Sequence, residues 1–86
     1  MPVISRFFGI IIAIYWDDHA PPHFHVKYGG DEAVVNIQTG EILKGAISRR
    51  TSSLVEEWRK LHVDELTQDW KLAEEHKPLR YISPLE

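Results

Sequence analysis

Ten consecutive residues, Phe7-Phe8-Gly9-Ile10-Ile11-Ile12-Ala13-Ile14-Tyr15-Trp16, carry no charge and run straight into Asp17-Asp18-His19-Ala20-Pro21-Pro22. The run is rich in β-branched and aromatic residues and lacks polar alternation, the pattern of a strand covered on both faces. It is far shorter than the roughly 20 residues a helix needs to cross a bilayer. The sequence therefore predicts a central strand in a soluble domain, with Gly9 marking a bulge or bend. The two prolines, which cannot donate to a ladder, end it.

The following segment alternates, with Phe24, Val26 and Tyr28 on one face and His23, His25 and Lys27 on the other, before Gly29-Gly30 supplies a hairpin turn. A two-residue turn there sets Lys27 opposite Glu32, Val26 opposite Ala33, His25 opposite Val34, Phe24 opposite Val35 and His23 opposite Asn36. The polar face then carries His23, His25, Lys27, Glu32 and Asn36 together. Thr39-Gly40 reads as the next turn, leading to a short strand around residues 41–44. A plain two-residue loop would put Lys44 opposite Val35, so a bulge or longer loop is expected.

Beyond Gly45 the period changes. Leu54, Val55, Trp58, Leu61 and His62 fall at helical spacing, with Glu56, Glu57, Arg59 and Lys60 on the other side and Ser48 or a neighbour as the start. A second helix is expected from about Asp64 to Glu75, with Leu66, Trp70 and Ala73 inward and Pro78 beyond its end. Leu79 to Ile82 reads as a terminal edge strand or a segment lying across the surface.

Eighty-six residues make one domain, strand-rich over 1–46 and helical over 47–78, with a tail over 79–86. The expected fold class is α+β, an antiparallel meander of three to four strands with two C-terminal helices packed on one face and the histidine face partly open. With no cysteine, neither disulfides nor thiolate ligands are available, so any metal site must use His, Asp and Glu. A net charge of −3 argues against nucleic-acid binding through overall charge, though a local basic patch is compatible with it. Only Arg6 precedes the apolar run and bulky Tyr15-Trp16 follow it, which disfavours a secretory signal and points to the cytoplasm.

Chemistry is concentrated between Asp17 and His25, which hold three of the five histidines and two carboxylates. Residues two apart on a strand share a side, so His23 and His25 present their Cα atoms about 6 to 7 Å apart. Zinc or a related ion wants three or four ligands, and His19 with Asp17 or Asp18 could fold back to join His23 and His25. Alternatively His23 and His25 act as acid and base on a ribose hydroxyl or phosphate, with Lys27, Arg49 and Arg50 contacting RNA or another anion. The blander alternative is that the histidines are half-buried strand residues that anchor the Pro21-Pro22 loop. Arg49 and Arg50, near a helix start where the dipole disfavours cations, read more readily as a solvated pair neutralised by acidic residues of neighbouring segments. His62 and His76 suit helix-surface or helix-end roles. Trp58 and Trp70 suit core positions, while Trp16 stands beside the histidines.

The segments Met1-Pro2-Val3-Ile4-Ser5-Arg6-Phe7-Phe8-Gly9-Ile10 and Asp18-His19-Ala20-Pro21-Pro22-His23-Phe24-His25-Val26, with Arg49-Arg50, Trp58-Arg59-Lys60-Leu61-His62 and Asp69-Trp70, resemble short bacterial proteins grouped as domain of unknown function 4160. The chain departs from that pattern at Ser48, where a proline often starts the helix. The resemblance implies a bacterial module of a toxin–antitoxin-like gene pair, with a small protein from a neighbouring gene as partner and RNA as a target. His23 and His25 match the family's histidine motif. An exposed sheet edge would also allow a homodimer.

Overall fold

The apolar run opens on a turn and is not one strand from end to end. In the computed structural model, which describes residues 2–86, strand β1 (Val3–Phe7) turns through Phe8 and Gly9 into β2 (Ile10–Ala13), with Phe7 paired to Ile10. Both turn residues have positive φ, 50° at Phe8 and 80° at Gly9, the geometry of a type I′ turn whose twist matches the flanking strands. Gly9 is thus a turn residue and not a bulge. Strand β1, which lies almost wholly before the run, raises the strand count to five, against the three to four expected.

The remaining strands are β3 (His23–Tyr28), β4 (Asp31–Asn36) and β5 (Ile42–Ala46), and the sheet is an antiparallel meander in the order β1-β2-β3-β4-β5. The β3–β4 register is the one the Gly29-Gly30 turn predicts, from Lys27 opposite Glu32 to His23 opposite Asn36. Between β4 and β5 the register shifts at Val34 and Val35, so that Lys44 faces Val34 and Ile42 faces Val35. This irregularity is the expected bulge. The side chain of Asn36 leaves the polar face to cap the turn, its Oδ1 accepting the N–H groups of Gln38 at 2.8 Å and Thr39 at 3.0 Å.

Helices α1 (Arg49–Leu61) and α2 (Val63–Glu74) cover one face. Ser48 caps α1 by accepting the Thr51 N–H at 3.1 Å, which satisfies one of the orphan donors of the first turn. Trp58 is fully buried, its ring 5.4 Å from Phe7 and 5.9 Å from Phe24. Val55, Leu66, Trp70 and Ala73 join it over Ile12, Val26, Val35 and Ile37. Leu61, expected inward, is 67% exposed, because α1 ends there and His62 begins the turn into α2.

Arg59, expected on the solvent side, is buried. Its guanidinium is held bidentately by Glu56, Nε to Oε1 at 2.6 Å and Nη2 to Oε2 at 2.7 Å, and Nη1 donates to the carbonyl of Ile37 at 2.9 Å. The pair thereby bolts α1 to the β4–β5 connection. Hydrogen bonding within it raises the pKa of Arg59 and lowers that of Glu56. Gly40 lies directly beneath, at φ 79°, where a side chain would collide with the Glu56 carboxylate and the Arg59 guanidinium.

The tail adds no strand. It runs along the outer edge of β1, with the Ile82 N–H donating to the Ile4 carbonyl at 2.7 Å and the Arg6 N–H to the Tyr81 hydroxyl at 3.1 Å. Ile82 and Leu85 are buried, and Trp58 Nε1 donates to the Ser83 carbonyl at 2.8 Å. The Asp69 carboxylate in α2 accepts the Arg80 N–H at 2.9 Å. At the opposite edge all five residues of β5 are exposed.

Candidate metal centre

The face of the sheet opposite the helices carries two rows of cross-strand neighbours. One runs Val3, Ala13, His25, Val34, Lys44; the next runs Arg6, Ile11, Lys27, Glu32, Ala46. Strand alternation puts His25 and Lys27 on this face because Phe24 and Val26 are drawn into the core. Tyr15, just past β2, packs edge-on against His25 with centroids 4.4 Å apart, and Lys27 Nζ lies 5.9 Å from the centroid of the Tyr15 ring. A hydrogen bond with Tyr15, helped by the charges of Tyr15 and Glu32, raises the Lys27 pKa.

His23 and His25 turn to the same side, with ring centroids 5.3 Å apart. Asp18 reaches back from the loop so that one oxygen, Oδ2, stands 3.2 Å from His23 Nε2 and 3.0 Å from His25 Nε2. The ligand atoms of the three residues all lie within 4.8 Å of one another. Trp70 of α2 closes over His23 at 5.1 Å between centroids. The rings are consequently less open than expected, with side chains 11% exposed at His23 and 16% at His25.

Hydrogen bonding fixes one proton. His23 Nδ1 lies 2.7 Å from the Pro21 carbonyl, which can only accept, so Nδ1 carries the hydrogen. In the neutral ring the lone pair is then on Nε2, aimed at a carboxylate oxygen that also presents lone pairs. Two such acceptors approach closely only when a cation lies between them, either a second proton on His23 or a metal ion. A histidine whose other nitrogen is tied to a carbonyl is also the usual form of a metal-ligating histidine. A tetrahedral ion with bonds of about 2.0–2.1 Å sets its ligand atoms about 3.3 Å apart, close to the two Asp18 spacings.

The family model described as domain of unknown function (DUF4160) matches residues 9–71, a stretch that includes Asp18, His23 and His25. The chain belongs to this family. No curated protein and no solved structure matches it.

Of the residues singled out in this DUF4160 chain, the fold unites Asp18, His23 and His25 and sets Lys27 on the same face. His19 and Asp17 do not join them. Both are exposed, and the carboxylate that turns inward is that of Asp18 alone. Arg49 and Arg50 open α1 in the helical layer, with Arg49 lining a groove shared with Glu56, Glu57 and Ser83–Glu86. They lie across the sheet from His25. His62 pairs with Glu65 at the joint between the helices, and His76 is exposed past the end of α2. Trp16 Nε1 donates to the Lys77 carbonyl at 3.3 Å, tying the loop to the helical layer.

Two residues of this DUF4160 domain that the periodicity did not single out are Tyr15, which walls His25, and Asp69. Asp69 is 1% exposed and its Oδ2 has no hydrogen-bond partner. Burial raises its pKa. The signal was present in the spacing, since Asp69 stands three residues after Leu66 and beside Trp70, on the margin of the apolar stripe.

Proposed function

We propose that this domain binds one transition-metal ion, zinc or a close relative, through His23 Nε2, His25 Nε2 and the Asp18 carboxylate. The observation that carries this reading is the convergence of the Nε2 lone pair of His23 on Asp18 Oδ2, with Nδ1 already committed to the Pro21 carbonyl. Three protein ligands leave a fourth position, the arrangement of a site that holds water or a substrate group rather than a closed structural one. Pro21 and Trp70 supply the outer layer that orients His23.

The test is metal analysis of the purified chain with a zinc or nickel titration followed by calorimetry. One ion per chain near neutral pH is expected, with release on acidification, since protonating an imidazole removes a ligand. No stoichiometric binding, together with His23→Ala and His25→Ala changing thermal stability alone, would leave the cluster as an anchor for the Pro21-Pro22 loop.

A second reading concerns a partner. The toxin–antitoxin-like pairing that the family resemblance implies is favoured by the exposure of β5, where Ile42 and Leu43 stand on an unpaired edge able to accept a strand from another protein. Co-expression with the neighbouring gene product, scored by co-purification and RNA integrity, tests it; no co-purification removes it.

A further inference from the structure

Strand β5 pairs with β4 alone, so its outer row of peptide groups has no ladder partner. Ile42 and Leu43 on it are each 39% exposed. Ile42 stands opposite the buried Val35 and therefore on the helical side, whereas Lys44 stands opposite Val34 on the open face. On the helical side Ile42 joins Ile47, Arg49 and Leu85 in the wall of a groove of about 1320 Å³. That exceeds the about 300–1,000 Å³ typical of small-ligand sites, so the groove suits the side chains of a polypeptide. Between Glu41 and Glu56 the chain carries Lys44, Arg49 and Arg50 and no acidic residue, in a protein whose net charge is −3. All three are exposed, and none is ion-paired among the described residues.

We infer that β5 is the docking edge for an acidic, strand-forming segment of another protein, which seats apolar side chains over Ile42 and Ile47 and sets carboxylates on Lys44 and Arg49. The inference rests on the reading above that this edge accepts a strand, and adds what that strand is made of. Alternate side chains of an added strand stand on opposite faces of the sheet. Those on the helical side meet the groove and, at its wall, Arg49; those on the open face meet Lys44. A second copy fits less well, because two-fold pairing centred on β5 sets Lys44 opposite its own copy, and like charges directly opposite are destabilising. Nucleic acid fits less well too, since the exposed isoleucine and leucine between the cations offer nothing to a phosphate chain.

The test pans the full chain against a displayed library of random dodecapeptides, then measures selected peptides by fluorescence anisotropy and maps them by amide hydrogen exchange. Selected peptides are expected to alternate apolar with acidic residues and to protect the amides of β5. Their dissociation constants should rise about fivefold with the double variant Lys44→Gln, Arg49→Gln. The melting temperature of the free double variant should not fall, because a cation in the first turn of α1 opposes the helix dipole. Peptides that protect β5 but are not acidic, or that bind the double variant equally well, overturn the inference and leave β5 as a docking edge. No selected peptide, or protection away from β5, overturns both. Dimerisation of the free chain with β5 protected, followed by ultracentrifugation, gives the edge to a second copy and overturns the inference. So does single-stranded RNA binding that the double variant loses, with no peptide selected.

Discussion

Asp18 and His25 are seven residues apart in the chain and 3.0 Å apart in space, Oδ2 to Nε2. The contact folds the proline loop back over the open face and makes a loop carboxylate a neighbour of a strand imidazole. Asp18→Ala is therefore expected to weaken zinc binding at least about tenfold. In the metal-free protein the same change should cost about 1.5–3 kcal/mol, the range for a hydrogen bond to a charged group. Calorimetric titration and urea unfolding measure the two effects separately.

Arg59 joins α1 to the β4–β5 connection through the Ile37 and Gln38 carbonyls, while Glu56, one turn earlier on the same helix, holds its guanidinium in place. Arg59→Leu leaves those carbonyls without their donor and the carboxylate without its cation, so a loss of about 3 kcal/mol is expected. Glu56→Gln should cost less, because the Glu56 side chain is 36% exposed and solvent screens the pair. Denaturant midpoints at constant m-value distinguish the two variants.

Burial raises the Asp69 pKa in the folded chain. An acid whose folded pKa exceeds its unfolded value favours folding while protonated. Its contribution to stability is complete below the unfolded value near 3.9 and is lost as pH rises through the folded pKa. Asp69→Asn removes that loss and keeps an oxygen for the Arg80 N–H. Its melting temperature, followed from pH 4 upward, should fall less than that of the unaltered protein; parallel curves would contradict the assignment.

Phe8 holds a φ of 50° in the first hairpin, a region that costs a residue with a large side chain roughly 1–2 kcal/mol and asparagine less. The ring is 53% exposed, so little burial offsets this cost. Phe8→Asn should raise the melting temperature by a few degrees, about 4–8 °C per kcal/mol in a domain of this size. A drop would mean that the edge contact of Phe8 with Phe7 outweighs the backbone term.

The central hairpin was legible because Gly29-Gly30 and the alternation of residues 23–28 specify one register, and a slip by one residue would turn Phe24 and Val26 out of the core. The first hairpin was hidden because a phenylalanine occupies a turn position that asparagine or glycine normally announces. Arg59 was misplaced for a similar reason: periodicity assigns a charged residue to solvent, while its burial depends on the carbonyls of Ile37 and Gln38 in a distant turn. The segment from Asp17 to His25 was visibly the chemical centre. Which carboxylate and which histidines it would use depended on the path of the loop, and spacing along the chain does not encode that path.

The tail occupies one margin of the sheet while β5 leaves the other bare. Were two copies to join β5 against β5, both remaining margins would already be covered, and the ribbon could not lengthen into a filament. Growth by this route stops at two.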